Sequence, residues 1–334
     1  MQYRALKTRM VRGVRNKYMD GVLGIHHMTA ISGPAQENLD FYAGILGLRL
    51  VKLTVNFDDP SAYHLYYGDG AGNPGTILTF FPYPNGHQGR SGSGQASVTR
   101  LSVPSGSLGY WLDRLTQFEI DFDHPQTKNG RESFSFRAPD GLEIELVVNP
   151  NYDIRAYWDQ SPVPKNVAIS GMDSIQIIER TLEPTKEILE DILGFQLVGQ
   201  HEDIYRFEVN GGGCGKTIEV VIDPTGPSGK QGPGGVHHIA FRTEDENSQQ
   251  DRRIQVLERG LRVSAVMDRD YFKSIYFREP GGVLFEIATD PPGFTVDETP
   301  ETIGTSLRLP KQYEPMRTQI EHALPPLIMP SHRK

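Results

Sequence analysis

The chain has a single cysteine, Cys214, so neither an intramolecular disulfide nor a cysteine-rich zinc site can form within it. That usage suits a reducing cytoplasm. No apolar run reaches the ~18 residues that a membrane-spanning helix needs, so no membrane span is expected. Positive charge is also short. Lys and Arg total 34 against 42 Asp and Glu, for a formal net charge of −8. This argues against a nucleic-acid partner, whose binders usually carry a basic face. The local exception is the start of the chain, where Arg4, Lys7, Arg9, Arg12, Arg15 and Lys17 precede the first acid, Asp20. The stretch lacks the apolar core of a signal peptide. Residues 1–20 therefore read as a disordered basic extension, with Met19 an alternative start.

What is present is repetition. The 334 residues suffice for two ordinary domains, and a search for internal repeats finds four copies of one unit. In the first, a strand at His26–Ile31 leads to a helix at Pro34–Leu46 with Leu39, Tyr42 and Leu46 on one face. Gly47 ends that helix and a strand resumes at Leu48–Leu53. Residues 172–198 repeat the order: strand Ser174–Ile178, helix Pro184–Leu193, Gly194, strand Phe195–Val198. Ile45-Leu46-Gly47 returns there as Ile192-Leu193-Gly194. Another unit has a strand at Thr99–Val103, a helix at Leu108–Leu115 with Trp111 on its apolar face, and strands at Phe134–Phe136 and Gly141–Val148. The last runs from a strand at His237–Arg242 through a helix at Gln249–Arg259 and Gly260 to strands at Leu261–Met267, Ser274–Phe277 and Val283–Ala288. Each unit reads as βαβββ, so the fold class is α+β, with units paired into domains over 21–155 and 168–292. The connection between them holds Pro150, Pro162 and Pro164 and reads as a linker. Residues 293–334 read as a strap over the domain surface, with a short helix at Glu314–Leu324.

Two of the units open on a His-His pair: Gly-Ile-His-His-Met-Thr-Ala-Ile (Gly24 to Ile31) and Gly-Gly-Val-His-His-Ile-Ala-Phe (Gly234 to Phe241). The last unit closes on Glu-Pro-Gly-Gly-Val-Leu-Phe-Glu-Ile-Ala, which ends its final strand with Glu286. A histidine and a glutamate on strands of one unit can share a metal, and the upstream pair offers a third ligand. A second motif points elsewhere. Gly211-Gly212-Gly213-Cys214-Gly215-Lys216-Thr217 is similar to a phosphate-binding loop, but Asn210 stands where its first glycine belongs. A strand pattern at Ile218–Ile222 follows in place of a helix. It reads as a hairpin turn, with Cys214 a bystander.

Four βαβββ units with His at a strand start and Glu at a strand end resemble the vicinal oxygen chelate superfamily, which includes glyoxalase I, fosfomycin-resistance enzymes and extradiol dioxygenases. Val55-Asn56-Phe57-Asp58-Asp59-Pro60, Tyr63-His64-Leu65-Tyr66-Tyr67-Gly68-Asp69 and Pro74-Gly75-Thr76 are similar to the branch of ring-cleaving dioxygenases that act on hydroquinones. The resemblance runs from about residue 22 to the Leu324-Pro325-Pro326 tail. It implies a metal held by His27, His238 and Glu286, with Arg269 and Tyr276 beside it. Two imidazoles and a carboxylate leave up to three positions of an octahedral ion open, which suits Fe(II), with Mn(II) as the alternative, binding both O2 and a phenolate. Arg269 would offset negative charge and Tyr276 would donate a hydrogen bond. Thr29, two residues past His27, falls on the same strand face and is expected to line the pocket. By the same alternation His26 and His237 should point away from the metal, where they can orient nearby groups through hydrogen bonds.

The remaining units refine the expectation. The second has Ser97 to Thr99 and the third Ser174 where the histidines would fall, although Glu145 and Glu219 are kept. Units two and three should thus form a metal-free cup, and units one and four must pack together. A glyoxalase-like isomerase would take a fourth ligand from a carboxylate ending unit one, but Thr76-Ile77-Leu78-Thr79-Phe80-Phe81 supplies none. An extradiol catechol dioxygenase would draw its ligands from units three and four. A non-catalytic binder would need no triad. The expected partners are a small aromatic substrate, hydroquinone or catechol, and O2. Self-association into a homo-oligomer, and the choice between detoxification and growth on aromatics, are left open.

Overall fold

The computed structural model describes residues 21–128, 130–152 and 156–329. The basic stretch 1–20, read above as a disordered extension, lies outside the described residues. Unit one comprises β1 (Ile25–Ser32), α1 (Ala35–Leu39) running on as a π-helical turn over Asp40–Ile45, β2 (Arg49–Asn56), β3 (Asp59–Gly68) and β4 (Ile77–Pro82). Unit two is β5 (Gln95–Val103), α2 (Leu108–Gln117), β6 (Gln126–Lys128), β7 (Arg131–Arg137) and β8 (Glu143–Val148). Unit three is β9 (Gly171–Glu179), α3 (Glu183–Asp191), β10 (Gln196–His201), β11 (Ile204–Glu208) and β12 (Thr217–Ile222). Unit four is β13 (Val236–Thr243), α4 (Glu246–Glu258), β14 (Met267–Asp268), β15 (Phe272–Arg278) and β16 (Leu284–Pro292).

The helices form where apolar side chains recur on one face. Leu39, Tyr42 and Leu46 are all buried, and the Leu46 amide reaches the Phe41 carbonyl five residues back, the wider spacing of the π turn. Leu108, Trp111 and Leu115 bury the face of α2. Gly47 and Gly194 follow their helices at φ of 72° and 76°, the left-handed conformation that ends a helix at low cost only for glycine. At Gly194 a Cβ would also meet the Gly21 Cα at 2.4 Å.

Two eight-stranded sheets result. One has the order β14-β15-β16-β13-β1-β4-β3-β2 and so joins units four and one; the other, β10-β11-β12-β9-β5-β8-β7-β6, joins units three and two. Each sheet thus takes one unit from either side of the proline-rich connection. The seams are antiparallel, β1 against β13 and β5 against β9. The β1–β13 seam carries two bulges, because Ile25 and His27 pair with the consecutive Phe241 and Ala240, and Thr29 and Ala30 pair with His238 and Val236. The residues left unpaired are His26 and His237.

Two expected elements are corrected. Leu261–Met267 is not a strand throughout: Val263 forms one bridge to Phe277 and only Met267–Asp268 pairs regularly. The Ser264 hydroxyl takes the Tyr276 amide at 3.0 Å, where a ladder carbonyl would otherwise accept it. The helix near 314 begins as a 3-10 turn over Lys311–Met316, which contains Pro315, and becomes α5 only at Arg317–Ala323. The final segment is tied to unit one. Lys52 of β2 is wholly buried, its ammonium 2.7 Å from Asp297, 3.2 Å from the Phe294 carbonyl and paired with Glu298. Farther on, the Tyr313 hydroxyl donates to the Phe57 carbonyl at 2.8 Å. Among the described residues no helix is long and apolar enough to cross a membrane.

Candidate metal centre

The β1–β13 seam puts His27 and His238 on facing strands, and β16, parallel to β13, pairs Glu286 with Ala240, two residues past His238. The three side chains converge. His27 Nε2 and His238 Nε2 lie 3.3 Å apart, and they stand 3.3 and 2.8 Å from Glu286 Oε2. Ligand atoms about 2.1 Å from one ion and at right angles lie about 3.0 Å from each other, so this triangle fits a single metal held on one face. All three residues are buried. Glu286 Oε1 accepts the Ser274 hydroxyl, while Oε2 is buried without a hydrogen-bond partner. With both imidazoles in the tautomer that leaves Nε2 unprotonated, three acceptor atoms aim at one point and make a site that a cation completes. Burial works against ionising Glu286, yet the adjacent imidazoles of His27 and His238 hold its carboxyl well below the usual range. His238 is lowered by burial, with Glu286 opposing.

His237 lines the cavity, where strand alternation would turn it away, whereas His26 lies outside the cavity lining, on the Nδ1 side of His27. Each sits at a bulge, and the extra residue turns its ring toward its neighbour. His26 Nδ1 meets His27 Nδ1 at 2.9 Å, and His237 Nδ1 meets His238 Nδ1 at 2.8 Å. If His27 and His238 bind metal through Nε2, their Nδ1 atoms donate these bonds, which fixes tautomer and ring plane. His237 Nδ1 then accepts, leaving its Nε2 as the N–H of a side chain that lines the cavity. Burial and the neighbouring His238 push His237 down to about 3, so its ring is neutral at ordinary pH.

Arg269 and Tyr276 stand together beside the triad. Arg269 Nε donates to the Tyr276 hydroxyl at 3.3 Å, and the Tyr276 ring centroid is 5.6 Å from that of His238. Burial and the nearby Glu286 raise the Tyr276 phenol, which stays protonated. Thr29 takes a different place from the one expected. It is fully buried, does not line the cavity, and shares a 2.8 Å hydrogen bond with Thr79.

The triad faces a cavity of about 440 Å³ whose walls include Phe57, Tyr66, Phe81 and Phe272. Such a lining suits a flat apolar ring. His64 also lines it, with Nε2 2.8 Å from the Thr79 hydroxyl and Nδ1 2.9 Å from the Tyr66 hydroxyl. Asn56, Asp58 and Tyr83 lie along the same cavity. None of these was assigned a role from the sequence. The available signal was alternation on β3, which puts His64 and Tyr66 on one face.

The second sheet has the same register with different contents. Arg100 pairs with Glu145 as Ala240 pairs with Glu286, and Gln176 pairs with Glu219. Val98 and Ser174 therefore occupy the positions of His27 and His238. The Arg100 guanidinium bridges the two carboxylates, 2.6 Å from Glu145 and 2.8 Å from Glu219, and donates to Gln176 at 2.9 Å. A side-chain cation thus already sits between these two carboxylates. The glycine-rich segment 211–215 is the turn between β11 and β12, and Cys214 Sγ lies 2.9 Å from both Ser102 Oγ and Asn149 Nδ2.

Comparison with known proteins agrees with this geometry. A profile of the Glyoxalase/Bleomycin resistance protein/Dioxygenase superfamily matches residues 24–146 and 171–287. A Bacillus subtilis (strain 168) protein assigned as the ring-cleaving dioxygenase MhqO is 46% identical over 91% of this chain and 96% of its own length. The chlorohydroquinone/hydroquinone 1,2-dioxygenase of Sphingobium indicum is 34% identical over 90% of this chain and 95% of its own. A crystal structure of a B. subtilis protein assigned as a dioxygenase superposes with a TM-score of 0.87 at 44% identity, covering 93% of this chain and 99% of that one. Maize glyoxalase I shares the fold, with a TM-score of 0.62 at 13% identity over 80% of this chain and 92% of its own.

Proposed function

The chain belongs to the Glyoxalase/Bleomycin resistance protein/Dioxygenase superfamily and is an enzyme of its ring-cleaving dioxygenase branch, and from that premise we propose that it opens hydroquinone rings with O2 at a ferrous ion held by His27, His238 and Glu286. The observation that carries this reading is the number of ligands. Thr79 pairs with Thr29, two residues past His27, as Glu286 pairs with Ala240, two residues past His238. A hydroxyl thus stands where a carboxylate, as fourth ligand, would close the site. An open face supports chemistry that brings two reactants to one ion.

Fe(II) bound there would supply the redox chemistry that lets O2 react with a closed-shell aromatic ring. The chain's own groups do the rest. The rings of Phe57, Tyr66, Phe81 and Phe272 exclude water and present faces to the substrate ring. His26 and His237 fix the two imidazoles. Arg269 opposes negative charge that builds on the ring or on oxygen, and the neutral Tyr276 phenol and the His237 Nε2–H are donors at the same wall. The 34% identity to a hydroquinone 1,2-dioxygenase over nearly the whole chain supports the para-diol class.

The test is O2 uptake after anaerobic Fe(II) loading, with hydroquinone, methyl- and chlorohydroquinones and a catechol panel, run on the native protein and on His238→Ala. Uptake with hydroquinones, a ring-opened product and loss in the variant are expected. Uptake with catechols alone would move the substrate class, and no uptake with any ring despite one bound metal would refute the dioxygenase reading.

A further inference from the structure

We infer that Asp58, at the tip of the β2–β3 hairpin, selects against anionic ring substituents by holding the charge of Arg269 across the mouth of the cavity. The inference rests on the proposed aromatic substrate. It concerns which rings of that class enter.

Among the described residues, Arg269 is the one cationic side chain lining the cavity apart from the histidines. An arginine in such a wall would ordinarily be a ready partner for a carboxylate. Here two of its nitrogens are already engaged. Nε faces the Tyr276 hydroxyl, Nη2 lies 3.2 Å from Asp58 Oδ2, and the guanidinium stacks over the Phe57 and Tyr276 rings at 5.3 and 5.4 Å. Phe57 and Asp58 come from unit one and Arg269 from unit four, so the pair joins the two units at the cavity. The tip is fixed from behind. The Asp58 amide donates to Asn56 Oδ1 at 2.9 Å, and the Tyr313 hydroxyl holds the Phe57 carbonyl at 2.8 Å. Asp59, next in the chain, adds a second carboxylate that accepts from the Tyr83 hydroxyl at 3.0 Å.

Charge bookkeeping then defines the fitting ligand. A divalent ion, Glu286 and one phenolate sum to zero, and so do Arg269 and Asp58. A ring with a neutral substituent leaves the cavity balanced. One with a carboxylate leaves an unmatched negative charge facing Asp58. Removing the Asp58 charge frees Arg269 to accept that carboxylate.

Equilibrium binding under nitrogen, by calorimetry on the metal-loaded protein, tests this without turnover. The probes are methylhydroquinone and 2,5-dihydroxyphenylacetate, with 4-methylcatechol and 3,4-dihydroxyphenylacetate as the catechol pair. The native protein should favour the neutral member of the pair it binds. Asp58→Asn should shift that neutral-to-acid ratio toward the acid by about fivefold, the scale of a partly exposed charge interaction. Asp58→Glu, which keeps the charge, should hold the native ratio. Asp58 is largely exposed, so neither change threatens the fold. A shift below about twofold in Asp58→Asn, or an equal shift in Asp58→Glu, overturns the inference. The substrate reading is judged separately, by whether the hydroquinone pair outbinds the catechol pair. If only the catechol pair binds, the para-diol reading falls while its neutral-to-acid ratio still decides the role of Asp58. Failure of every ring to bind overturns both.

Discussion

Thr79 and Glu286 are counterparts. Each sits on the last strand of its unit, directly opposite the residue two places past a ligand histidine, and both are fully buried. Glu286 aims a carboxylate at the metal position. Thr79 instead ties Thr29 to His64 through two 2.8 Å hydrogen bonds. One register, filled with a hydroxyl on one side and a carboxylate on the other, limits the candidate site to three ligand side chains.

The first prediction follows from that pair. Thr79→Glu would add a fourth ligand, a second carboxylate, at the register position that Glu286 shows to be within reach. The variant should bind divalent metal more tightly and lose O2 uptake. Metal content after dialysis against a chelator and oxygen-electrode rates report the two effects. Retained uptake in a variant with tightened metal binding would show that the position Thr79 leaves open is not used by the reactants.

Tyr276→Phe removes a donor that burial keeps protonated, while the His238 ring beside it is left in place. Loss of one preorganised donor to developing charge typically costs about 10²-fold in kcat. Metal content should equal that of the native protein. A variant with native kcat would remove Tyr276 from the chemistry, and one that loses metal would make it a structural support of His238.

The four-unit fold is legible in the sequence because each helix carries its own apolar period and glycine stop, as Leu39, Tyr42, Leu46 and Gly47 do. The His-His pairs and Glu286 are legible as motifs, and the seam between β1 and β13 brings their ligand atoms to one point. Strand alternation misplaces His237, because a bulge depends on the partner strand and leaves no mark in the local pattern. Thr79 and His64 are hidden for a related reason. Their roles come from register between strands, and nothing in Thr76 to Phe81 names a partner. Asp58 could be quoted as part of a motif, but its link to Arg269 spans two units. Lys52 is the extreme case: a lysine in a strand reads as exposed, and only residues far along the chain make it a core residue.

Glu179 and Glu279 give a pH prediction away from the metal. Both carboxyls are buried. Glu279 accepts from the Thr185 hydroxyl at 2.7 Å and from the Gly281 and Val283 amides at 2.9 and 2.8 Å. Burial and the charge of Glu279 push Glu179 up to about 8. A carboxyl raised in the folded state binds more protons there than in the unfolded chain, so its contribution is full below the ordinary carboxylate range and is lost as pH rises toward about 8. Thermal stability should fall over that window. Glu179→Gln keeps a donor toward Glu279 and removes the titration, so its profile should be flatter and its melting temperature higher at alkaline pH. Parallel profiles for the two proteins would argue that the pair does not share a proton.

Lys52 fastens the C-terminal segment to unit one. Its ammonium is wholly buried between Asp297, Glu298 and the Phe294 carbonyl, and it lies 4.6 Å from the Tyr271 ring centroid. Lys52→Met keeps the volume and apolar stem but leaves the buried Glu298 carboxylate with only the partly exposed Arg308, 3.5 Å away, as a charged partner. Breaking one side of a buried pair typically costs about 3–5 kcal/mol, mostly as the desolvation of the abandoned charge. The midpoint of urea unfolding should drop accordingly. Adding Glu298→Gln should recover part of the loss, because the orphaned charge is then gone, and the double-mutant cycle isolates the pair. The same segment supplies Tyr313, which holds the Phe57 carbonyl at the cavity mouth. Lys52→Met should therefore also weaken binding of aromatic rings at temperatures where the rest of the chain stays folded. If unfolding shifts while ring affinity is unchanged, the segment supports stability alone and the hairpin tip holds its position without it.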